Sequence, residues 1–111
     1  MAVGRAVSRG EIWLYAFAAP DRRRPVVVLT RDDAIPMLHT VMVAPVTSTI
    51  VGAPSEVLVG VDEGLKHSSA VNLDHVQTVP KQRLRHYVGS LRPIKLRELC
   101  RALAVATGCA D

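Results

Sequence analysis

Three consecutive arginines, Arg22, Arg23 and Arg24, are the densest basic cluster in the sequence. A guanidinium is always charged and offers a rigid fork of donors that matches phosphate oxygens. Eleven Arg and three Lys stand against ten acidic residues, a net charge of +4. That balance points to an anionic partner, either a nucleic acid or an acidic protein surface. Hydroxyls cluster as Thr47-Ser48-Thr49 and as Ser68-Ser69, and Asp74-His75 pairs two groups that can take up a proton. Each group also has an ordinary structural reading. Thr-Ser-Thr is turn chemistry, and an arginine at a strand entrance is commonly just solvated.

Other chemistries are disfavoured by spacing. His39, His67, His75 and His86 are never paired at the spacing of a structural zinc site, and no Cys-x-x-Cys occurs. Asp32-Asp33 and Asp62-Glu63 are sequence neighbours, so in extended chain they point to opposite faces and read as solvated loop charges. The seven glycines are scattered, with no phosphate-binding loop or dinucleotide pattern. The expectation is chemistry without a metal or nucleotide cofactor. Cys100 and Cys109 are too few for a disulfide framework, and the first eight residues lack an export signal, so a reducing, cytoplasmic setting is expected. No apolar run approaches the roughly 20 residues of a membrane span, so no membrane partner is expected.

The elements that must position these groups are short. At 111 residues with 49% hydrophobic content, the chain reads as one domain, residues 9–111, behind a loosely ordered leader, residues 1–8. Trp13, Tyr15 and Phe17 alternate along residues 10–17 and share one face of a strand. Only 4% of the chain is aromatic, which assigns these rings to a core rather than to a base-stacking platform. After a turn at 18–23, residues 24–30 are β-branched on both faces and read as a central buried strand. Residues 31–38 read as a loop with one helical turn, and 40–46 as a second buried strand. Short strands are expected at 56–61, 70–73, 75–79 and 85–90, with a helical turn at 81–84 opened by Pro80. From Pro93, Leu96, Leu99, Cys100 and Leu103 fall on one helical face, and Gly108 is placed to end the helix. On that face Cys100 is expected to be buried packing. The pattern is that of a mainly β (α+β) domain, a small barrel of antiparallel strands closed by a C-terminal helix.

Four segments in order carry a family resemblance. Arg9-Gly10-Glu11-Ile12-Trp13, Arg24-Pro25-Val26-Val27-Val28-Leu29, Ala44-Pro45-Val46-Thr47-Ser48-Thr49-Ile50 and Asp74-His75-Val76-Gln77-Thr78-Val79-Pro80-Lys81 resemble segments of the MazF/PemK toxins of bacterial toxin–antitoxin systems. The helix at 93–107 matches their C-terminal helix, so the resemblance spans about residues 9–108. It implies an SH3-like barrel, a homodimer, and metal-independent, sequence-selective cleavage of single-stranded RNA to a 2′,3′-cyclic phosphate and a 5′-hydroxyl. It also implies an antitoxin, resembling MazE, with an acidic and partly disordered segment.

In-line attack by a ribose 2′-hydroxyl needs a base, charge stabilisation around the phosphate, and a proton donor for the leaving oxygen. The resemblance gives the phosphate to Arg24, with Arg23 beside it, and to the hydroxyl of Thr47. Thr49 and Ser69 become substrate contacts, and Asp74 sits where some members place an acid thought to act as base. His75 stands where the family usually has Gln. It can act as base or acid, can read a base edge, or can be a strand histidine on a polar face. As strand neighbours, Asp74 and His75 are expected to point opposite ways. The sequence departs from the family in a short loop of about six residues before Arg24 and in Ser68 where members often carry Asp. Two alternatives share the fold. A gyrase poison resembling CcdB needs a tryptophan near the C-terminus, whereas the single tryptophan here is Trp13. A non-catalytic SH3-like module needs an exposed aromatic groove, which the low aromatic content disfavours.

Overall fold

β-branched and apolar residues alternate through most of the extended segments, and in the computed structural model, which describes residues 6–18 and 22–110, they form a curled antiparallel sheet. Among the described residues the strands are β1 (Glu11–Ala16), β2 (Arg23–Val28), β3 (Thr40–Thr47), β4 (Glu56–Val59), β5 (Ser69–Asn72), β6 (Gln77–Pro80) and β7 (His86–Ser90), followed by helix α1 (Pro93–Ala106). The sheet runs β4-β5-β3-β2-β1-β7, and β6 also pairs with β3. β3 is the hub. Val43–Pro45 pair with β2, Thr40–Val43 with β6, and Val46 and Thr47 with β5.

The expectation of two-sided burial holds for β2. Val27 belongs to a core with Ile12, Ala44, Val46, Val71 and the helix residues Leu99 and Ala102. Val26 and Val28 belong to a second core with Trp13, Tyr15, Val41, Val43 and Val79, against which Phe17 packs. The alternating rings at 13, 15 and 17 therefore share one face and fill a core. Glu11 is buried beside them, where its carboxylate accepts the Trp13 indole N–H at 3.1 Å and the Ser8 backbone N–H at 2.8 Å.

Several boundaries differ from the sequence expectation. Leu73–His75 is a 3-10 turn and not the junction of two strands, because the Asn72 side chain accepts the Asp74 N–H at 2.9 Å and bends the chain. Asp74 and His75 are therefore turn residues, and the alternation argument does not apply to them. The strand expected to reach Val61 ends at Val59, where a 3-10 turn (Val61–Glu63) begins. Lys81–Arg83 is a single 3-10 turn, with Pro80 closing β6. Cys100 is exposed and not buried. The helix meets the sheet through Leu99 and Ala102, flanked by Leu96, Leu103 and Ala106, which leaves Cys100 at the edge of the stripe, where Arg9 donates to its sulfur at 2.9 Å. Gly108 lies just beyond the helix with φ of 76°. The expected leader and the turn before Arg24 lie partly outside the described residues. Within them, Val7 already packs against the second core.

Candidate functional site

Proline supplies no N–H to a ladder, and the pairing of β2 with β3 ends at Val26 opposite Pro45, just beyond Pro25. β3 then takes β5 as its neighbour, with Thr47 opposite Ala70. A cleft of about 720 Å³ opens where the pairing of β3 with β2 ends and that with β5, on its other edge, begins. Leu14, Pro25 and Val46 line it, continuing by the period of two the face that carries Ile12, Val27 and Ala44.

The walls are polar and basic. Arg22, Arg23 and Arg24 come from the entrance of β2, and Thr47, Ser48 and Thr49 from the end of β3. Lys66 and His67 come from the segment leading into β5, and Ser69 is the first residue of that strand. Arg24 and Thr47 line one opening although they are 23 positions apart in sequence. The Thr47 hydroxyl oxygen accepts the Thr49 N–H at 3.1 Å, which leaves the Thr47 O–H free to donate. Ser69 is buried, and its hydroxyl donates to the His67 carbonyl at 3.2 Å.

The segment from Gly60 to Ser69 is held by a buried carboxylate. Glu63 is 3% exposed, accepts the Gly60 N–H at 2.7 Å and meets the Arg92 guanidinium at 3.3 Å. Gly64 has φ of 96° and lies so close to β7 that a Cβ there would stand 2.5 Å from the Val88 carbonyl oxygen. A Cβ on Gly89 would stand 2.0 Å from the Glu63 carbonyl oxygen. These two glycines let β7 and the turn touch backbone to backbone, which carries Leu65, Lys66 and His67 to the cleft.

Of the residues singled out from sequence, Arg23, Arg24, Thr47, Thr49 and Ser69 line one cleft. Asp74 and His75 do not line it. The Asp74 carboxylate accepts the Ser55 hydroxyl at 2.5 Å, and His75 is exposed on the same turn. Lys66 and His67 line the cleft and were not singled out. The available signal was a cation and a titratable side chain directly after the Gly64 turn and before the Ser69 strand. No three His, Cys, Asp or Glu side chains cluster among the described residues, and no described helix is long and apolar enough to cross a membrane.

A half-barrel with a basic, hydroxyl-lined cleft at the end of its central strands defines a class. The chain belongs to the PemK-like, MazF-like toxin family of type II toxin–antitoxin systems, whose model matches residues 8–107. It is 47% identical over 104 residues to the probable endoribonuclease MazF5 of Mycobacterium tuberculosis, covering 92% of this chain and 94% of that one. The solved structure of the Mycobacterium tuberculosis toxin MazF-mt6 superposes with a TM-score of 0.82 at 35% identity, covering 88% of this chain and 96% of that one. A mycobacterial endoribonuclease solved in complex with its cognate antitoxin shares the fold with a TM-score of 0.84 at 24% identity, covering 96% of this chain and 99% of that one.

Proposed function

We propose that this chain is the toxin of a type II toxin–antitoxin pair and a metal-independent, sequence-selective endoribonuclease that cuts single-stranded RNA in the cytoplasm and so inhibits translation and growth. The observation that carries the reading is the cleft lined by Arg22, Arg23, Arg24 and Thr47 together, in a chain 47% identical to a protein named as an endoribonuclease. A ribose 2′-hydroxyl attacks the adjacent phosphorus in line, giving a 2′,3′-cyclic phosphate and a 5′-hydroxyl. Arg24 stabilises charge on the phosphate oxygens with its fork, since a guanidinium has no lone pair with which to act as base. Thr47 gives its free proton to a non-bridging oxygen, where a fixed donor gains strength as charge develops. Arg23 and Thr49 hold the flanking phosphates. Ser69, whose proton is engaged by His67, accepts from a base or a ribose hydroxyl.

A cleft of about 720 Å³ is the size of one small-molecule site. Reading several bases therefore calls for more surface, which a homodimer supplies by joining two copies along one groove. Exposed His75 is a contact for flanking nucleotides on that larger surface, and Asp74 supports its turn. The antitoxin, resembling MazE, covers the groove with an acidic segment that competes with RNA for the same cations.

The reading is tested by incubating the protein with mixed-sequence RNA in EDTA, beside Arg24→Ala and Thr47→Ala. Cutting by the parent protein alone supports it. An intact RNA with the parent protein would overturn the nuclease reading, and full activity in Arg24→Ala would overturn the site.

A further inference from the structure

The cleft is rich in groups that donate hydrogen bonds and poor in groups that take a proton. Arg22, Arg23, Arg24 and Lys66 have donors only while charged. The hydroxyls of Thr47, Ser48, Thr49 and Ser69 are weak bases, and two of them are already engaged, by the Thr49 N–H and by the His67 carbonyl. No described residue lining the cleft is a carboxylate. Asp74 stands outside it, bonded to Ser55. The His67 imidazole is the one described side chain in the cleft whose neutral form carries a basic ring-nitrogen lone pair.

The backbone that presents His67 is fixed from both ends. Upstream, the Leu65 N–H bonds the Gly60 carbonyl at 3.1 Å, and the Glu63 carboxylate bonds the Gly60 N–H at 2.7 Å. Downstream, the buried Ser69 hydroxyl holds the His67 carbonyl itself. The ring stands exposed on the cleft wall, at the end of a segment that cannot swing freely.

We propose that His67 is the general base of the cleavage, accepting the proton of the ribose 2′-hydroxyl. The inference rests on the endoribonuclease reading above. The 2′-oxygen bonds to phosphorus as its proton passes to a ring nitrogen of His67. The bond from phosphorus to the 5′-oxygen breaks, and its electron pair leaves on that oxygen. A water molecule protonates the 5′-oxygen, and the hydroxide formed takes the proton back from the imidazolium. The charged groups around the ring in the cleft are Lys66 on its own segment and Arg22, Arg23 and Arg24 from β2. β7 contributes Val88 and the end of β3 only hydroxyls and Val46, none of them charged.

The test is kcat/KM against pH on a short RNA for the parent protein, His67→Gln and His67→Ala, with His39→Gln as control. Binding of an uncleavable 2′-deoxy analogue and circular dichroism report affinity and folding. The expected result is a parent rate that rises with pH and then levels, because the base acts only when unprotonated. His67→Gln should fall about 10²-fold or more and lose the rising limb, with analogue affinity kept, and added imidazole should restore part of the His67→Ala rate. His39→Gln should match the parent. An unchanged pH profile in an active His67→Gln would overturn this assignment and leave the nuclease reading intact. A parent protein that cuts no RNA would overturn both.

Discussion

In the proposed reaction Arg24 and Thr47 act on one phosphate, and Arg24 carries two predictions. Arg24→Ala should lower kcat by about 10²–10³-fold, the range for loss of one preorganised donor to a developing anion, with a smaller change in RNA affinity. Arg24→Lys keeps the charge and loses the fork, so it should recover binding more than rate. Single-turnover cleavage beside filter binding separates the two effects. Glu11 belongs to stability rather than to chemistry. Removing its carboxylate in Glu11→Ala leaves the Trp13 indole N–H unpaired in the core, at about 1–3 kcal/mol. Urea unfolding should show that loss, while the cleavage pattern stays the same.

At the scale of elements, the glycine contact between β7 and the turn after β4 is the most sensitive joint. Gly89→Ala drives a methyl into the Glu63 carbonyl and should cost about 1–3 kcal/mol, the range for overpacking. It should also displace Lys66 and His67, so the rate at a temperature where the protein is fully folded should fall as well. A Gly52→Ala control meets no atom within 4 Å, and its cost comes only from a φ of 86°. A loss of rate in Gly52→Ala equal to that in Gly89→Ala would remove the argument for a local joint. The elements themselves were largely legible, because the runs at 24–30, 40–46 and 93–107 carry strong periodicity and clear proline and glycine punctuation. Asp74 and His75 were not. Nothing in their own types distinguishes a strand from a turn, and the deciding bond comes from Asn72. Nothing in the sequence joins His67 to Arg24, because they share a cleft only after β5 and β2 are set on opposite edges of β3. Cys100 stays exposed because the four-residue apolar set is wider than the stripe the sheet covers.

For the whole molecule, the net charge of +4 is a coarse sum over two unlike populations. Arg97 and Arg101 are exposed along the helix, whereas Arg22, Arg23, Arg24 and Lys66 converge on the cleft. If those four cations meet phosphates, the logarithm of affinity for an uncleavable RNA should fall against the logarithm of salt with a slope of about −3. Arg22→Ala should reduce that slope by about 0.7, and Arg97→Ala should leave it unchanged. Fluorescence anisotropy across a salt series measures both. Equal slopes for the two variants would mean that the charge acts as a diffuse field and not as a site.

The two-sided burial of β2 has a consequence for motion. Val26, Val27 and Val28 are each fully shielded from solvent, and their amides should be among the last to exchange with deuterium, opening only with global unfolding. Arg24 is exposed two residues earlier, just before the ladder to β3 begins. The Arg24 guanidinium is thus tethered, by a proline, to the part of the chain expected to exchange most slowly. Its backbone anchor is set by the sheet, so an anion bound at this guanidinium would have the side chain to order and not the strand beneath it.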